Sequence, residues 1–283
     1  MPTRLFGIET EYAFAPLGPA GKTVPRERVL DLFFQVARER LCFLPGHGYD
    51  LHLANGSRLY LDCGLHPELC TPECANPWDV VRYVKAGEQI LTEIAEEMAR
   101  RSEGLGPIYL SKSNVDYSGA GTTWGCHESY LHRGDPETLP SQLIPFLVSR
   151  LVYTGSGGFD SRSGGLHFMV SPRVAHLCHT VSGDSTDDRG IFHTKDESLS
   201  ACGYHRAHLL CSESLCSEQA LWLRVGATAL VVALIEAGVA DGETVALRAP
   251  LEAMARFACD PTCTAEAEAR DGRPLTALAI QHH

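Results

Sequence analysis

Residues 4–14, RLFGIETEYAF, set Glu9 and Glu11 on either side of one threonine, inside a stretch that otherwise reads as a strand. Alternate side chains of a strand face the same way. Phe6, Ile8, Thr10 and Tyr12 therefore share one face, and Gly7, Glu9, Glu11 and Ala13 the other. Two carboxylates this close repel, and the repulsion grows as water is removed. They coexist if they face bulk water, share a proton or bind cations.

The same choice recurs along the chain. In RLYLDCG (58–64), Tyr60 and Asp62 alternate onto one face, while Leu59, Leu61 and Cys63 take the other. In HRAHLL (205–210), Arg206 and His208 lie opposite Ala207 and Leu209. In GCHESYL (125–131), His127 faces away from Cys126 and Tyr130, and a regular strand turns Glu128 away from His127. A sheet made of such strands has a core side and a second side lined with acids, imidazoles and an arginine. Those donors suit an oxygen-rich divalent site of the Mg²⁺ kind with an occasional imidazole, better than a thiolate zinc site. The pattern points to a metal-assisted enzyme.

Bulk composition narrows the classes. The 283 residues are 44% hydrophobic, enough to bury a full core. The charge of −11, from 24 basic against 35 acidic residues, argues against nucleic acid as the main partner, because phosphate binding needs a basic stripe. The opening residues have no signal-peptide pattern, and no run of about 18 apolar residues suggests a membrane span. ATALVVALIEAG (227–238) reads as part of a buried helix too short to cross one. The 11 cysteines include no C-x-x-C pair, and their odd number without an export signal predicts reduced, mostly structural thiols in the cytoplasm.

Local signals place the elements. Helix is expected over RERVLDLFFQVARERL (26–41) after Pro25, and again after Asn76-Pro77, where Val81, Val84, Leu91, Ile94 and Met98 form an apolar stripe. Asn55-Gly56 marks a turn between two strands. PIYLSKSNVD and WGCHESYLHR (107–116, 124–133) are strand-like, and helix is expected near 140–153. A short strand is expected in LHFMVS (166–171), another in YHRAHLLCSES, and a long apolar helix over 218–237, stopped by Gly238. The final GRPLTALAIQHH looks like the first turns of a helix that is cut short. Strand pairs separated by substantial helices give an α+β or mixed α/β domain.

At these residues the chain resembles the Pup ligase and depupylase family. FGIETEY (6–12) is similar to the family's opening motif, and NGSRLYLDCGLHPELCTPEC (55–74) to its block around an essential aspartate. IYLSKSNVDYSGAGTTWGCHESYL, YHRAHLL and LRVGATALVVALIE are similar to later blocks. The resemblance implies an α+β, glutamine-synthetase-like fold: a curved antiparallel sheet with helices on the convex face and the active site on the concave one. It also implies that residues 1–283 form the catalytic domain of a longer kind of protein, truncated at its C-terminal end. Glu9, Glu11, Glu68, Tyr60, His127 and His208 would surround two or more Mg²⁺ ions on the ATP phosphates. Arg206 would lie near those phosphates, and Asp62 would be the essential aspartate. The family's Asn-Thr-Arg-Asp-Glu block reads HTKDE here, so Lys195 replaces an arginine and loses its bidentate fork. His167, in GGLHFMVSPR, is an additional metal or phosphate candidate.

The implied reaction joins the C-terminal glutamate side chain of the modifier Pup to a lysine of a target protein. ATP would turn the carboxylate into an acyl phosphate, and Asp62 would take the proton of the attacking amine. Two alternatives stand beside it: a depupylase or deamidase that cleaves the same bond, and a reduced relative that binds nucleotide or partner without turnover.

Overall fold

The computed structural model describes residues 4–16, 25–101, 107–164, 167–194 and 202–283. The opening stretch forms β1 (Phe6–Glu11), and Ala13–Pro16 continues it as β2. Helix α1 (Arg26–Arg40) follows Pro25 and buries Val29, Leu30, Phe33, Phe34, Val36 and Ala37 on one side. Four short strands come next: β3 (Phe43–Pro45), β4 (Leu51–Leu53), β5 (Arg58–Leu61) and β6 (Pro67–Cys70). Gly56 takes the reversal between β4 and β5 at φ +87°, a conformation that glycine adopts without steric cost. Helix α2 (Pro77–Arg101) starts where Asn76 Oδ1 accepts the Asp79 N–H at 3.0 Å, and buries the predicted stripe.

The strands β7 (Ile108–Ser111) and β8 (Cys126–His132) then flank the glycine-rich loop, but they do not pair with each other: β7 pairs with β2. Helices α3 (Leu139–Ser149) and α4 (Leu151–Thr154) cover the region expected to be helical. The strand expected over 166–171 shrinks to β10 (Phe168–Met169), paired with β9 (Gly158–Phe159). After β11 (His179–Ser182), β12 (Gly190–His193) and β13 (His205–Leu209) come α5 (Glu218–Glu236) and α6 (Pro250–Ala258). The hairpin β14 (Glu266–Glu268) and β15 (Pro274–Thr276) and helix α7 (Ala277–His282) complete the described chain.

Nine strands form the main sheet, in the order β11-β12-β13-β8-β1-β6-β5-β4-β3. The sheet is mixed, because the edge pair β11–β12 runs parallel while the other pairs are antiparallel. The sheet is thus antiparallel, as expected, apart from that one edge pair. β1 sits at the centre, and α2, α3 and α5 lie against the face that carries Phe6, Ile8, Cys126, Tyr130, Ala207 and Leu209. A second cluster packs Phe33, Phe34, Leu91, Ile94 and Met98 onto Leu51, Leu59 and Leu69.

Glu128 projects to this core side, as a regular β8 requires. It is fully buried, and Arg150 grips it through Nη2–Oε1 at 2.8 Å and Nη1–Oε2 at 3.2 Å. Arg224 Nε stands 3.5 Å away, and Tyr130 and Ser212 donate their hydroxyls. Although burial alone would raise it, the two guanidiniums hold the Glu128 carboxyl down at about 2.

Helix α5 departs from its expectation. Ser217 caps it through the Ala220 N–H at 3.3 Å, and Gly238 ends it at φ +65°. By length and composition alone it could cross a membrane. In the fold it buries only one face, through Leu221, Arg224, Val225, Thr228 and Val232, and leaves Trp222, Leu223, Leu230 and Leu234 exposed. The buried Arg224 ties that inner face to Glu128 across the core.

Candidate active site

Directly opposed residues of antiparallel strands point to the same side of a sheet. Glu9 faces His127 on β8 and Cys70 on β6, Glu11 faces Glu68, and Glu68 faces Tyr60 on β5. On the other flank His208 of β13 lies opposite Ser129 of β8 and His193 of β12. Six neighbouring strands thus carry one continuous polar row on the face away from α2, α3 and α5. β1 contributes the acids at its middle because its other side is core.

Among the described residues, this row contains two groups able to hold a cation. In the first, Glu9, His127 and His208 bring one donor atom each within 4.8 Å of the others. Glu9 Oε2 stands 3.4 Å from His127 Nδ1 and 3.7 Å from His208 Nε2, while Oε1 accepts Arg206 Nη2 at 2.8 Å. Arg206 is fixed from behind by Nε–Ser129 Oγ at 2.9 Å. In the second group, Glu11, Asp62 and His66 converge in the same way. Asp62 lies just beyond the end of β5, at the start of the turn to β6, and its carboxylate joins Glu11 on the side of the sheet that Tyr60 faces. That turn closes through Asp62 N–His66 O at 3.0 Å and His66 N–Asp62 Oδ1 at 2.5 Å, with Leu65 at φ +60°.

The electrostatics follow from burial and pairing. Burial opposes ionisation of Glu9, yet the imidazoles of His127 and His208 beside it hold it well below the usual carboxylate range. Glu11 and Asp62 are likewise held low against their burial, largely by His66. His66 rises to about 9: burial would lower it, but Asp62 and Glu11 outweigh that. Burial takes His208 down to about 4. Among the described residues no cation faces Glu68, so burial and then the charge of Glu9 push it well up, and Tyr60, raised by burial, lies against it.

These residues fit a divalent cation. Two buried carboxylates, Glu11 and Glu68, and the half-buried Glu9 share one face, and both ring nitrogens of His208 are buried with no hydrogen-bond partner among the described residues. A cation would supply the missing partner to His208 and the missing charge to Glu68. Gly125 leaves the needed space, since a Cβ there would stand 2.7 Å from His127 Nε2 and collide with Glu11 Oε1. Gly125→Ala is therefore expected to displace the Glu11 carboxylate and weaken divalent-metal affinity by about tenfold or more, measured by titration with Mn²⁺. Thermal stability should change little by comparison.

The expected residues thus divide. Glu9, His127 and His208 meet in one group, with Arg206 upon it; Glu11 belongs to the other, with Asp62; Glu68 and Tyr60 lie beside both. The residues expected to surround two or more Mg²⁺ ions therefore fall into two neighbouring groups. Lys195 lies outside the described residues. His167 is exposed, next to β10 and not in either group. All 11 cysteines are free thiols. His66 and His193 were not singled out by sequence. His66 sits in a turn, where alternation gives no signal, and β12 is buried at all four positions, so Gly-Ile-Phe-His shows no alternation. His193, buried, stacks 5.3 Å from His208. A cavity of about 630 Å³ lies at the β11–β13 end of the sheet, lined mainly from the helix side by α3, His132, His205, Phe192 and residues 246–248, with Arg206 and His193 also in its lining.

Comparison with known proteins gives a consistent set. The family model described as "Pup-ligase protein" matches residues 4–283. A Pup–protein ligase of Xylanimonas cellulosilytica is 38% identical over 99% of this chain and 61% of its own length. One from Sanguibacter keddieii is 37% identical over 98% of this chain and 61% of its own. Among solved structures, the complex of the prokaryotic ubiquitin-like protein Pup with its ligase PafA matches with a TM-score of 0.85 and 30% identity, over 99% of this chain and 56% of that one. PafA in complex with ADP matches with a TM-score of 0.73 and 30% identity, over 95% of this chain and 58% of that one. The chain therefore spans about 61% of the length of these curated relatives.

Proposed function

Because the chain belongs to the Pup ligase family, we propose that residues 1–283 form the catalytic domain of an ATP- and Mg²⁺-dependent ligase that joins a glutamate side-chain carboxylate to a protein lysine. The carrying observation is the convergence of Glu9, His127, His208 and Arg206 on one side of β1's acids, with Asp62 on the other. Pup, with its C-terminal glutamate, is the modifier we assign, and lysine-bearing proteins are the acceptors. ATP places the reaction in the cytoplasm.

A carboxylate is a poor acyl donor, because attack by an amine would have to expel oxide. Transfer of the γ-phosphoryl group of ATP gives an acyl phosphate, from which phosphate departs. Arg206, anchored between Glu9 and Ser129, would stabilise the charge that spreads during that transfer. Glu9, Glu11, Glu68, His127 and His208 would hold Mg²⁺, which when bound neutralises and aligns the phosphates. Tyr60 would contact the ions or phosphates from β5, and Lys195 would add a cation from the segment after β12.

The acceptor lysine is protonated at neutral pH, with a reference value of about 10.4, and cannot attack in that form. Asp62, held ionised by His66, takes its proton as the C–N bond forms. Incubation of the chain with Pup, ATP, Mg²⁺ and a lysine-bearing protein tests the assignment. A conjugate of the summed mass less one water is the expected product. Release of free target from a preformed conjugate, with no conjugation in the first assay, would instead establish the hydrolase reading. ATP binding without turnover in either assay would establish the non-catalytic one.

A further inference from the structure

The loop between β7 and β8 and the hairpin β9–β10 present to solvent three aromatic rings that neither the core nor the polar row uses. Tyr117, Phe159 and Phe168 are 53%, 42% and 49% exposed. They pack edge to face: the rings of Tyr117 and Phe159 lie 6.4 Å apart at 71°, and those of Phe159 and Phe168 6.3 Å apart at 85°. The Tyr117 hydroxyl accepts the Phe159 N–H at 3.1 Å. Gly158 leaves the room, since a Cβ there would stand 2.8 Å from that oxygen. Half-exposed rings of this size together offer about 300 Å² of apolar surface, within the range of patches that mark interaction sites. Already held in place, they lose little freedom when a partner covers them.

The surroundings set the partner. Asp116 precedes Tyr117 and Asp160 follows Phe159. Arg189 donates to Thr123 Oγ1 at 2.8 Å, which ties the turn between β11 and β12, with its exposed Asp184, Asp187 and Asp188, to the base of the same loop. These five carboxylates stand against the cations of Arg162 and Arg189. Hydrogen bonds from Ser118 and Thr186 hold Asp116 and Asp184 below the usual carboxylate range, so both stay charged. The loop also reaches the reacting centre. Trp124, paired at its base through Trp124 N–Asn114 O at 3.2 Å, sets its ring 5.5 Å from that of His66, in the turn that holds Asp62. We propose, resting on the ligase reading, that Tyr117, Phe159 and Phe168 dock the acceptor protein through a cationic segment that carries the reactive lysine beside an apolar side chain. The acids attract such a segment, and the ring faces take its cations and aliphatic stems. A lysine of that segment then reaches Asp62 along Trp124. The contact is small, as suits a substrate that has to leave after modification.

The test separates docking from chemistry. Two fluorescent peptides each carry one lysine, set between arginine and leucine in the first and between glutamate and leucine in the second. Anisotropy reads their binding to the intact chain without turnover, and conjugation with Pup and ATP reads their KM. Hydroxylamine, which displaces phosphate from an acyl phosphate to leave a hydroxamate, serves as a small acceptor that needs no docking surface. The parent should bind the arginine peptide more tightly than the glutamate one. Phe159→Ser/Phe168→Ser should weaken binding of the arginine peptide, and raise its KM, by about tenfold or more, with the rate of hydroxamate formation unchanged. Asp187→Asn/Asp188→Asn should narrow the difference between the two peptides. Circular dichroism confirms that each variant is folded. Absence of hydroxamate from the parent would refute the ligase reading, while anisotropy still tests the surface. Equal affinity of the parent and the folded aromatic variant for the arginine peptide would overturn the proposal. So would a parent with no preference between the peptides, or an aromatic variant that needs more Pup while its peptide affinity stays the same.

Discussion

Asp62→Asn is expected to slow conjugate formation by about 10²–10⁴-fold, the range by which a positioned general base accelerates proton transfer. The substitution is nearly isosteric. Its side-chain oxygen can still accept the His66 N–H that closes the turn at 2.5 Å, so the β5–β6 connection should survive. What disappears is the ability to take a proton from the lysine ammonium. Phosphorylation of the donor carboxylate relies on the Arg206 side of the row and does not need that proton transfer. Single-turnover measurements should therefore show ADP appearing at close to the wild-type rate while conjugate lags. Equal rates of conjugate formation in the two proteins would remove Asp62 from its role.

The second large effect lies under the sheet. Glu128→Gln keeps the shape of the side chain but removes the charge that Arg150 and Arg224 face in a fully buried site. Removing one partner of a buried ion pair costs about 3–5 kcal/mol, because the remaining charge is left uncompensated. Urea unfolding should report a loss of that size with an unchanged slope. Acid adds an independent signature. The folded carboxyl titrates at about 2, below its unfolded value, so its contribution is fully present above roughly pH 4.5. It is lost as pH falls through that interval towards 2. The variant, lacking this group, should show a flatter dependence of stability on pH over the same interval. A variant as stable as the parent at pH 7 would mean that the two arginines find other partners.

Much of this arrangement could be read directly from the sequence, for a clear physical reason. Alternation is a local property, and β1, β8 and β13 each have one apolar and one polar side, so Glu9, His127, Arg206 and His208 were identifiable before their strands were known to be neighbours. Alternation in RLYLDCG also offered Tyr60 and Asp62, and the family motifs supplied Glu68 and the role of Asp62. Asp62 and His66 show where the method stops: they meet because a five-residue turn folds back on itself, which no periodicity encodes. β12 escaped notice because burial on both sides erases its pattern, and with it His193. The pairing of β7 with β2, not β8, and the single parallel edge pair are set by tertiary contacts that local sequence does not express. The outer face of α5 was taken for core because Leu and Trp there carry no mark of exposure.

The placement of β1 has an implication for how such a protein tolerates change. Its six residues serve as both the keystone of the core and the floor of the catalytic row, so the two functions share one reading frame. Inserting or deleting a single codon between Phe6 and Glu9 would turn Ile8 towards solvent and drive a carboxylate among the aliphatic side chains. In a library of one-codon insertions and deletions, this segment should be a gap with no survivors, whereas the exposed turn around Asp184–Asp188 should admit most of them.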